Sequence, residues 1–281
     1  MHKIILSKSR EENFCNVFSE SQINFGDRNR RLSVQSSGLN KLDGNLKSVR
    51  TLFMFGVPYS SIPKPTSSLN LLRVLHLEGA PLEEFPSEIV ELLLLKYLCL
   101  RKTNIKSIPK SLGNLRYLET LDLKHTTVAK LPKKVLKLEK LPHLLVYHYD
   151  IQNYTTFECV KGFEVSAKIN SPNLQKLSFI KANRHHKVIQ GLGNLTQLRK
   201  LGIIALRRKD GSKLCQSIDQ LQNLHSLNVT ALHKNEVVDL QAITNPPTFL
   251  KRLYLKGRLE RLPIWISKLN ACQGYVLSGP S

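Results

Sequence analysis

Three residues that could act together in nucleophilic chemistry recur at one interval, since His76, Cys99 and Asp122 are each 23 residues apart. On neighbouring strands of a parallel sheet, about 4.8 Å apart, their side chains would stand side by side. A cysteine nucleophile needs the base between itself and the carboxylate, whereas here the cysteine lies in the middle. A carboxylate next to a thiol also raises the thiol pKa and opposes its activation. The spacing therefore indicates a binding surface, and we expect no catalytic site and no enzyme.

Motifs for phosphate or metal binding do not occur in the sequence. The nearest match to a G-x-x-x-x-G-K-S/T loop is Gly211-Ser212-Lys213. It lacks the first glycine of that loop and the helix context in which the loop occurs. The five cysteines are widely scattered and form no C-x-x-C pair. This usage favours a reducing compartment over a disulfide framework or a zinc site. We therefore expect no cofactor and no metal.

The isolated chain is expected not to bind ATP or ADP, because it has no loop of backbone N–H groups to cradle their phosphates. Isothermal calorimetry with each nucleotide is the measurement. A micromolar affinity for either nucleotide would contradict this prediction.

The charge balance points to an acidic partner. Lys and Arg number 42 against 21 Asp and Glu, a formal net charge of +21. Aromatic residues do not interleave with arginines as a single-stranded nucleic acid platform would need, so nucleic acid is not expected. The longest leucine run, Leu92 to Leu95, is bounded by Glu91 and Lys96. A membrane span needs about 20 apolar residues, so none is expected.

The interval of 23 residues extends far beyond the first three residues. The pattern Leu-x-x-Leu-x-Leu starts at Leu72 and Leu95, returns at Leu118, and continues less strictly from Leu141. A shift backwards by the same interval reaches Val49. Looser copies start at Leu174, Leu198, Leu224 and Leu250. This is the pattern of the leucine-rich repeat, whose period is about 20–29 residues.

The spacing within one repeat predicts its shape. The last two apolar residues lie two apart, so both face one side of a short strand and the residue between them faces the other. The return segments carry an apolar residue at every third position after Pro86 and Pro109, which fits a 3₁₀ or α turn. No repeat can bury its apolar face alone, so stability comes from stacking.

These patterns together predict an α/β repeat solenoid. It is a leucine-rich-repeat horseshoe with a curved parallel sheet on the concave face and short helical or 3₁₀ segments on the convex face. About ten strands are predicted, with centres near Leu32, Leu52, Leu75, Leu98, Leu121, Leu144, Leu177, Leu201, Leu227 and Leu253.

The repeats also predict the domain bounds. Residues 1–28 show no repeat, and the helical spacing of Phe14, Val17 and Phe18 suggests an N-terminal cap or the end of a preceding switch domain. Residues 29–272 form the repeats, with an excursion near 147–173 where the step between repeats lengthens. Residues 273–281 leave the pattern and are predicted as a non-repeat tail. We expect the chain to be a piece of something longer or a truncated gene product.

The outward strand positions are the candidate partner-binding surface. Aromatic side chains are enriched in protein interfaces, and here several of them fall on these positions. A strand face that is partly buried under loops is the alternative, and it stays open. The densest aromatic and basic group on the predicted concave face comprises Phe53, Phe55, Tyr97, Arg101, Lys124, His143 and Tyr147.

Several continuous runs resemble one family. They are Arg30-Arg31-Leu32-Ser33-Val34, Leu52-Phe53-Met54-Phe55-Gly56, Leu72-Arg73-Val74-Leu75-His76-Leu77, Leu118-Glu119-Thr120-Leu121-Asp122-Leu123, His143-Leu144-Leu145-Val146-Tyr147 and Leu262-Pro263-Ile264-Trp265-Ile266. The chain thereby resembles, over roughly residues 1–272, the leucine-rich-repeat region of plant intracellular disease-resistance receptors. These receptors are of the class that has a coiled coil and a nucleotide-binding domain before the repeats.

The resemblance implies a cytoplasmic, non-enzymatic protein-interaction module that acts in plant defence and innate immunity. Its partners would be a pathogen effector or a guarded host protein, and the acidic surface of a nucleotide-binding switch domain that the repeats restrain. The family ends that switch with Met-His-Asp, whereas here Lys3 follows Met1-His2, so no nucleotide-sensing role is carried over to His2. The alternative function is a general intracellular leucine-rich-repeat scaffold that binds a small GTPase or another signalling protein.

Overall fold

A computed structural model of the chain describes residues 16–18, 30–35, 45–61, 68–150, 152, 156–165, 169, 171–182, 186–269 and 274–278. The chain divides into two compact units, residues 1–127 and 128–281. Among the residues in these ranges, no helix is both long enough and apolar enough to cross a membrane.

In the described part of the first unit, six short parallel strands follow one another in chain order. Leu52, Leu75, Leu98 and Leu121 share one register position on four successive strands, as their spacing requires. The strands are β1 (Asn16–Phe18), β2 (Arg31–Val34), β3 (Thr51–Met54), β4 (Val74–His76), β5 (Tyr97–Cys99) and β6 (Thr120–Asp122). The 3₁₀ segments of this unit are Tyr59–Ser61, Ser87–Glu91 and Lys110–Asn114.

The second unit holds a second set of parallel strands and a separate antiparallel pair, β8 with β9. Its strands are β7 (His143–Leu145), β8 (His148–Tyr149), β9 (Val160–Lys161), β10 (Lys176–Lys181), β11 (Lys200–Leu206), β12 (Ser226–Ala231), β13 (Arg252–Lys256) and β14 (Gly274–Ser278). The parallel order is β7-β10-β11-β12-β13-β14. The helical segments are α1 (His186–Gly191), α2 (Gly211–Ile218) and the 3₁₀ turns Val135–Lys137, Leu192–Asn194, Arg208–Asp210 and Ile264–Lys268.

Strand leucines form the core of each unit. Leu52, Leu75 and Leu98 have no exposed surface in the first unit, and Leu177 and Leu227 have none in the second. Full burial of one such side chain contributes about 1.5–3 kcal/mol. The backbones of successive repeats are bonded to each other just before the strands, so the buried leucines of adjacent strands stay in register.

The predicted leucine-rich-repeat solenoid is confirmed. Each of the ten predicted strand centres lies in a strand. In the first unit, Pro86 and Pro109 directly precede the 3₁₀ segments, where they stand as N-cap residues. The repeat spacing therefore located these ten strands, and the two prolines located the 3₁₀ segments that follow them.

Strands β1 and β14, at the two ends of the described strands, lie outside the repeat pattern. Val17 and Phe18 lie in β1, which pairs with β2, and not on a helix as their spacing suggested. Strand β14 pairs with β13 in continuous register within the segment predicted as a non-repeat tail. An open strand edge offers backbone donors and acceptors to any extended segment, so no leucine pattern is needed. The rest of the predicted cap, His2 included, lies outside the described residues.

The predicted excursion contains the β8–β9 hairpin and returns along β10. Phe163, just after β9, is fully buried and forms a parallel bridge with Ile180. Its N–H donates to the carbonyl of Phe179 at 3.2 Å, and its carbonyl accepts from Lys181 at 2.9 Å. The base of the excursion is therefore part of the packed second unit.

Candidate functional site

Four rings lie together on the outward side of the strands in the first unit, and we call Phe53, Phe55, His76 and Tyr97 the aromatic row. The His76 ring centre lies 5.4 Å from that of Phe53 and 5.0 Å from that of Phe55. On its other side it stacks on Tyr97 at 6.2 Å and 4°. The sheet thus brings three of the predicted site residues together through a histidine that was not among them.

The histidine of the aromatic row is held in its neutral form. Burial lowers the pKa of His76, and the Glu78 carboxylate, 3.4 Å from Nε2, opposes this shift without cancelling it. The imidazole is therefore uncharged at neutral pH and acts as a further flat ring. A partner that covers the row would not have to desolvate a charge there.

The predicted basic residues of the first unit lie beside carboxylates. Lys124 Nζ is 3.0 Å from Asp122 Oδ2, and Arg101 Nε is 4.0 Å from Glu78 Oε1. Burial alone would raise the pKa of Glu78, but the hydrogen bond and charge of Lys102 outweigh it and lower that pKa. The rim of the aromatic row is consequently a set of ion pairs and not an uncompensated positive patch.

The cysteine of the suspected nucleophilic set is unreactive in this position. Cys99 has no exposed surface, and burial raises its pKa to about 11, with Asp122 as a smaller cause. The thiol is therefore protonated at neutral pH, which supports the binding-surface interpretation. Within the described part of the chain, no group of three His, Cys, Asp or Glu side chains could hold a metal ion.

The last two predicted site residues belong to the second unit. His143 lies on β7, and Tyr147 follows that strand. The Tyr147 ring meets Tyr149 at 5.1 Å and Phe179 at 5.3 Å, both edge to face. Within its own unit, Tyr147 is therefore one member of an aromatic cluster.

Sequence reasoning missed Phe179 and Tyr149 as members of this cluster. The repeat pattern predicted an inward Phe179, but the register shifts between Leu177 and Ile180, and Phe179 has a φ of 46°. Such an irregularity is a β-bulge, which re-aims side chains. A usable signal was Gly202 on the next strand, because a Cβ there would lie 2.7 Å from the Phe179 nitrogen. Glycine inside a strand often marks a bulge or a close backbone approach.

Outward positions of the second unit are partly covered. Ser178, Ile180 and Ile204, predicted to face outward, are all buried. Ile180 follows the register shift and pairs with the inward Ile203, whereas the excursion approaches Ile204 at Gly162, where a Cβ would lie 2.9 Å from Ile204 Cδ1. The other end of the excursion is held by Lys256, whose Nζ donates to the Thr156 carbonyl at 3.0 Å. The alternative of a strand face covered by a loop therefore applies at Ile204.

The family comparison covers most of the chain. A family model described as a leucine-rich repeat region matches residues 48–274. A leucine-rich-repeat protein of Leptospira interrogans has the same fold, with a TM-score of 0.55 and 20% identity, and the alignment covers 93% of this chain and 77% of that one.

Two curated plant proteins are similar in sequence. Disease resistance protein RPM1 of Arabidopsis thaliana is 30% identical over 131 residues, which cover 46% of this chain and 14% of that protein. Disease resistance protein Pik-2 of Oryza sativa subsp. japonica is 33% identical over 98 residues, which cover 33% of this chain and 10% of that protein. The resemblance to plant disease-resistance proteins is confirmed, over a small part of the relatives' length.

Proposed function

The chain belongs to the family of leucine-rich repeat regions, and we propose that it is the protein-interaction module of a plant disease-resistance receptor. The observation that carries the proposal is the aromatic row, in which the rings of Phe53, His76 and Tyr97 lie next to one another across three successive strands. The similarity to RPM1 and Pik-2 supports the defence role.

The chemistry of the aromatic row suits a protein partner. Side chains that already pack against each other on a sheet lose little conformational freedom when a partner binds. Aromatic residues are also enriched in binding hot spots. Phe55 is exposed, while Phe53 and Tyr97 are half-buried. The row can therefore be covered further by a partner without loss of the leucine core beneath it.

The ion pairs beside the row set the electrostatics of the proposed contact. Glu78 is shared by Lys102 and Arg101, and Asp122 is bound by Lys124. A carboxylate of the partner would compete with Glu78 and Asp122 for the lysine and arginine side chains that they bind. Such a contact contributes more to specificity than to affinity. The formal net charge of +21 supports an acidic partner overall.

In the proposed role, the module is cytoplasmic and non-enzymatic. It senses a pathogen effector or a guarded host protein, and it restrains a nucleotide-binding switch domain through the acidic surface of that domain. The high pKa of Cys99 is consistent with the absence of a nucleophile in the row. A general scaffold for a small GTPase would use the same surface and would differ in its partner.

Truncation of Tyr97 to alanine is expected to weaken partner binding by about 1 kcal/mol or more, the loss typical of a hot-spot residue. Folding should stay nearly intact, because Tyr97 is a half-buried outward residue and not a core leucine. The measurement is a surface-binding series against the nucleotide-binding domain of a related receptor and against candidate effectors.

Arg101→Glu should mainly slow association with the partner and reduce the salt dependence of the association rate.

The matched controls are Lys133→Glu and Lys137→Glu, which change exposed charges away from the outward strand positions. If these two variants abolish binding while Tyr97→Ala and Arg101→Glu leave it unchanged, the aromatic row is not the binding surface. Binding to small GTPases but to neither of the other partner classes would support the general scaffold instead.

A further inference from the structure

Most repeats make a tight turn just before their strand, and the two central residues of that turn lie outside the core. In the first unit three successive turns are closed by equivalent hydrogen bonds. The bonds are Leu72 N–H to Leu69 O at 2.9 Å, Leu95 N–H to Leu92 O at 2.9 Å and Leu118 N–H to Leu115 O at 3.0 Å. The central pairs are Asn70-Leu71, Leu93-Leu94 and Arg116-Tyr117.

Four of these six central side chains are large and apolar, and we call Leu71, Leu93, Leu94 and Tyr117 the turn ridge. Their exposed fractions are 43%, 59%, 39% and 46%. They belong to adjacent repeats, whose strands lie about 4.8 Å apart. The turn ridge is therefore a continuous exposed apolar strip along three repeats.

The fold does not require apolar residues at these positions. The equivalent turns elsewhere are closed by the same type of bond and have polar or proline centres, namely Lys47-Ser48, Pro172-Asn173, Thr196-Gln197 and Gln222-Asn223. Polar residues and proline favour turns for known reasons, whereas leucine and tyrosine gain nothing from the turn itself. Contiguous exposed apolar surface of this kind marks an interaction site.

Among the described turns closed in this way, one outside the turn ridge has an apolar central residue, Phe249, which is 55% exposed. Its ring stacks on His225 at 5.9 Å and 15°. Phe249 therefore has a ring partner within the chain, and the central residues of the preceding turn, Gln222-Asn223, are polar. It serves as a matched control for the turn ridge.

The charges that flank the turn ridge are mainly basic. Arg116 shares a turn with Tyr117, while Arg73 and Arg50 follow the turns of adjacent repeats and are joined by the bond from Arg73 N–H to Arg50 O, 2.8 Å. Across the described ranges, none of these three arginines has a carboxylate within ion-pair distance. Lys96 Nζ lies 2.7 Å from Glu119 Oε1, so these two side chains add no net charge to the rim. The rim is therefore complementary to acidic groups.

We propose that the turn ridge is a second docking surface, which binds a protein segment that is apolar at its centre and acidic at its rim. This surface lies on the turns and not on the outward strand positions of the aromatic row. The proposal goes beyond the proposed function, because the turn ridge would bind its segment whether or not a partner covers the aromatic row.

The test uses the full chain and two synthetic amphipathic helices as probes. Both helices carry the same leucine face, and the polar face is glutamate in one and lysine in the other. By fluorescence anisotropy, the acidic helix is expected to bind roughly tenfold more tightly than the basic one. A triple variant, Leu93→Thr, Leu94→Gln and Tyr117→Asn, copies the polar turns and is expected to lose roughly tenfold in affinity for the acidic helix.

Phe249→Asn is the control and should leave the affinity for the acidic helix unchanged. The triple variant should melt at the wild-type temperature, because polar residues occupy the same turn in other repeats. Equal binding of the two helices, or full retention of binding by the triple variant, would overturn the proposal. So would a concentration-dependent dimer of the chain that the triple variant abolishes, since the occupant would then be a second copy.

Discussion

Replacement of Leu98 by aspartate is expected to unfold the first unit under conditions in which the wild-type chain is folded. Leu98 has no exposed surface and lies in register between Leu75 and Leu121. The substitution removes a buried leucine and places a carboxylate among leucines, with no basic side chain at that position to pair with it. The expected loss is at least about 4 kcal/mol, a large part of the roughly 5–15 kcal/mol that stabilises a typical domain.

Thermal unfolding followed by circular dichroism measures this loss, and hydrogen exchange assigns it to the first unit. Leu94→Asp is the matched control, because it makes the same chemical change four residues earlier at a side chain that is 39% exposed. It should change the melting temperature little. If the two variants melt alike, the stacked-leucine account of stability is wrong.

Gly162→Ala is expected to detach the excursion from the second unit. A Cβ at Gly162 would overlap the carbonyl oxygen of Phe179 and lie 2.9 Å from Ile204 Cδ1. A clash with backbone cannot be relieved by a change of rotamer, so the bonds between Phe163 and strand β10 must lengthen or break. Overpacking of this kind costs about 1–3 kcal/mol, and more where backbone must move.

The measurement is hydrogen exchange across residues 156–165, together with binding of a hydrophobic dye. Faster exchange and new dye binding are expected, because the buried side chains of Phe163 and Ile204 become exposed. Gly193→Ala is the control, since the nearest heavy atom to a Cβ there is 3.4 Å away. Exchange rates that match those of the wild type in Gly162→Ala would show that the excursion is not anchored at this glycine.

The repeat architecture could be read from the sequence because its signals are local and repeated. The interval of 23 residues places Leu52, Leu75, Leu98 and Leu121 at one register position, and alternation within each strand decides which side chain is buried. A shift by one residue would expose every leucine of a strand, so the register has one solution. The same alternation placed Phe53 and Tyr97 on the outward face.

The chemical state of that face depended on contacts that the repeat pattern does not specify. Burial lowers the pKa of His76, and Lys102, whose Nζ lies 2.9 Å from Glu78 Oε1, lowers the pKa of the Glu78 carboxyl. The interval of 23 residues placed Arg101 beside Glu78, but it did not indicate that Lys102 would also reach that carboxylate. Charge at a surface depends on side-chain reach and desolvation, which residue spacing does not encode.

The second unit departs furthest from what its sequence indicated, because its contacts join distant parts of the chain. Lys256 bonds to the carbonyl of Thr156, 100 residues away in sequence. The bulge at Phe179 depends on Gly202 in the next repeat. Local periodicity therefore determined the strands and their buried leucines, whereas only tertiary packing decided which outward residues an excursion covers and which a partner can reach, since burial depends on every segment that folds back onto a face.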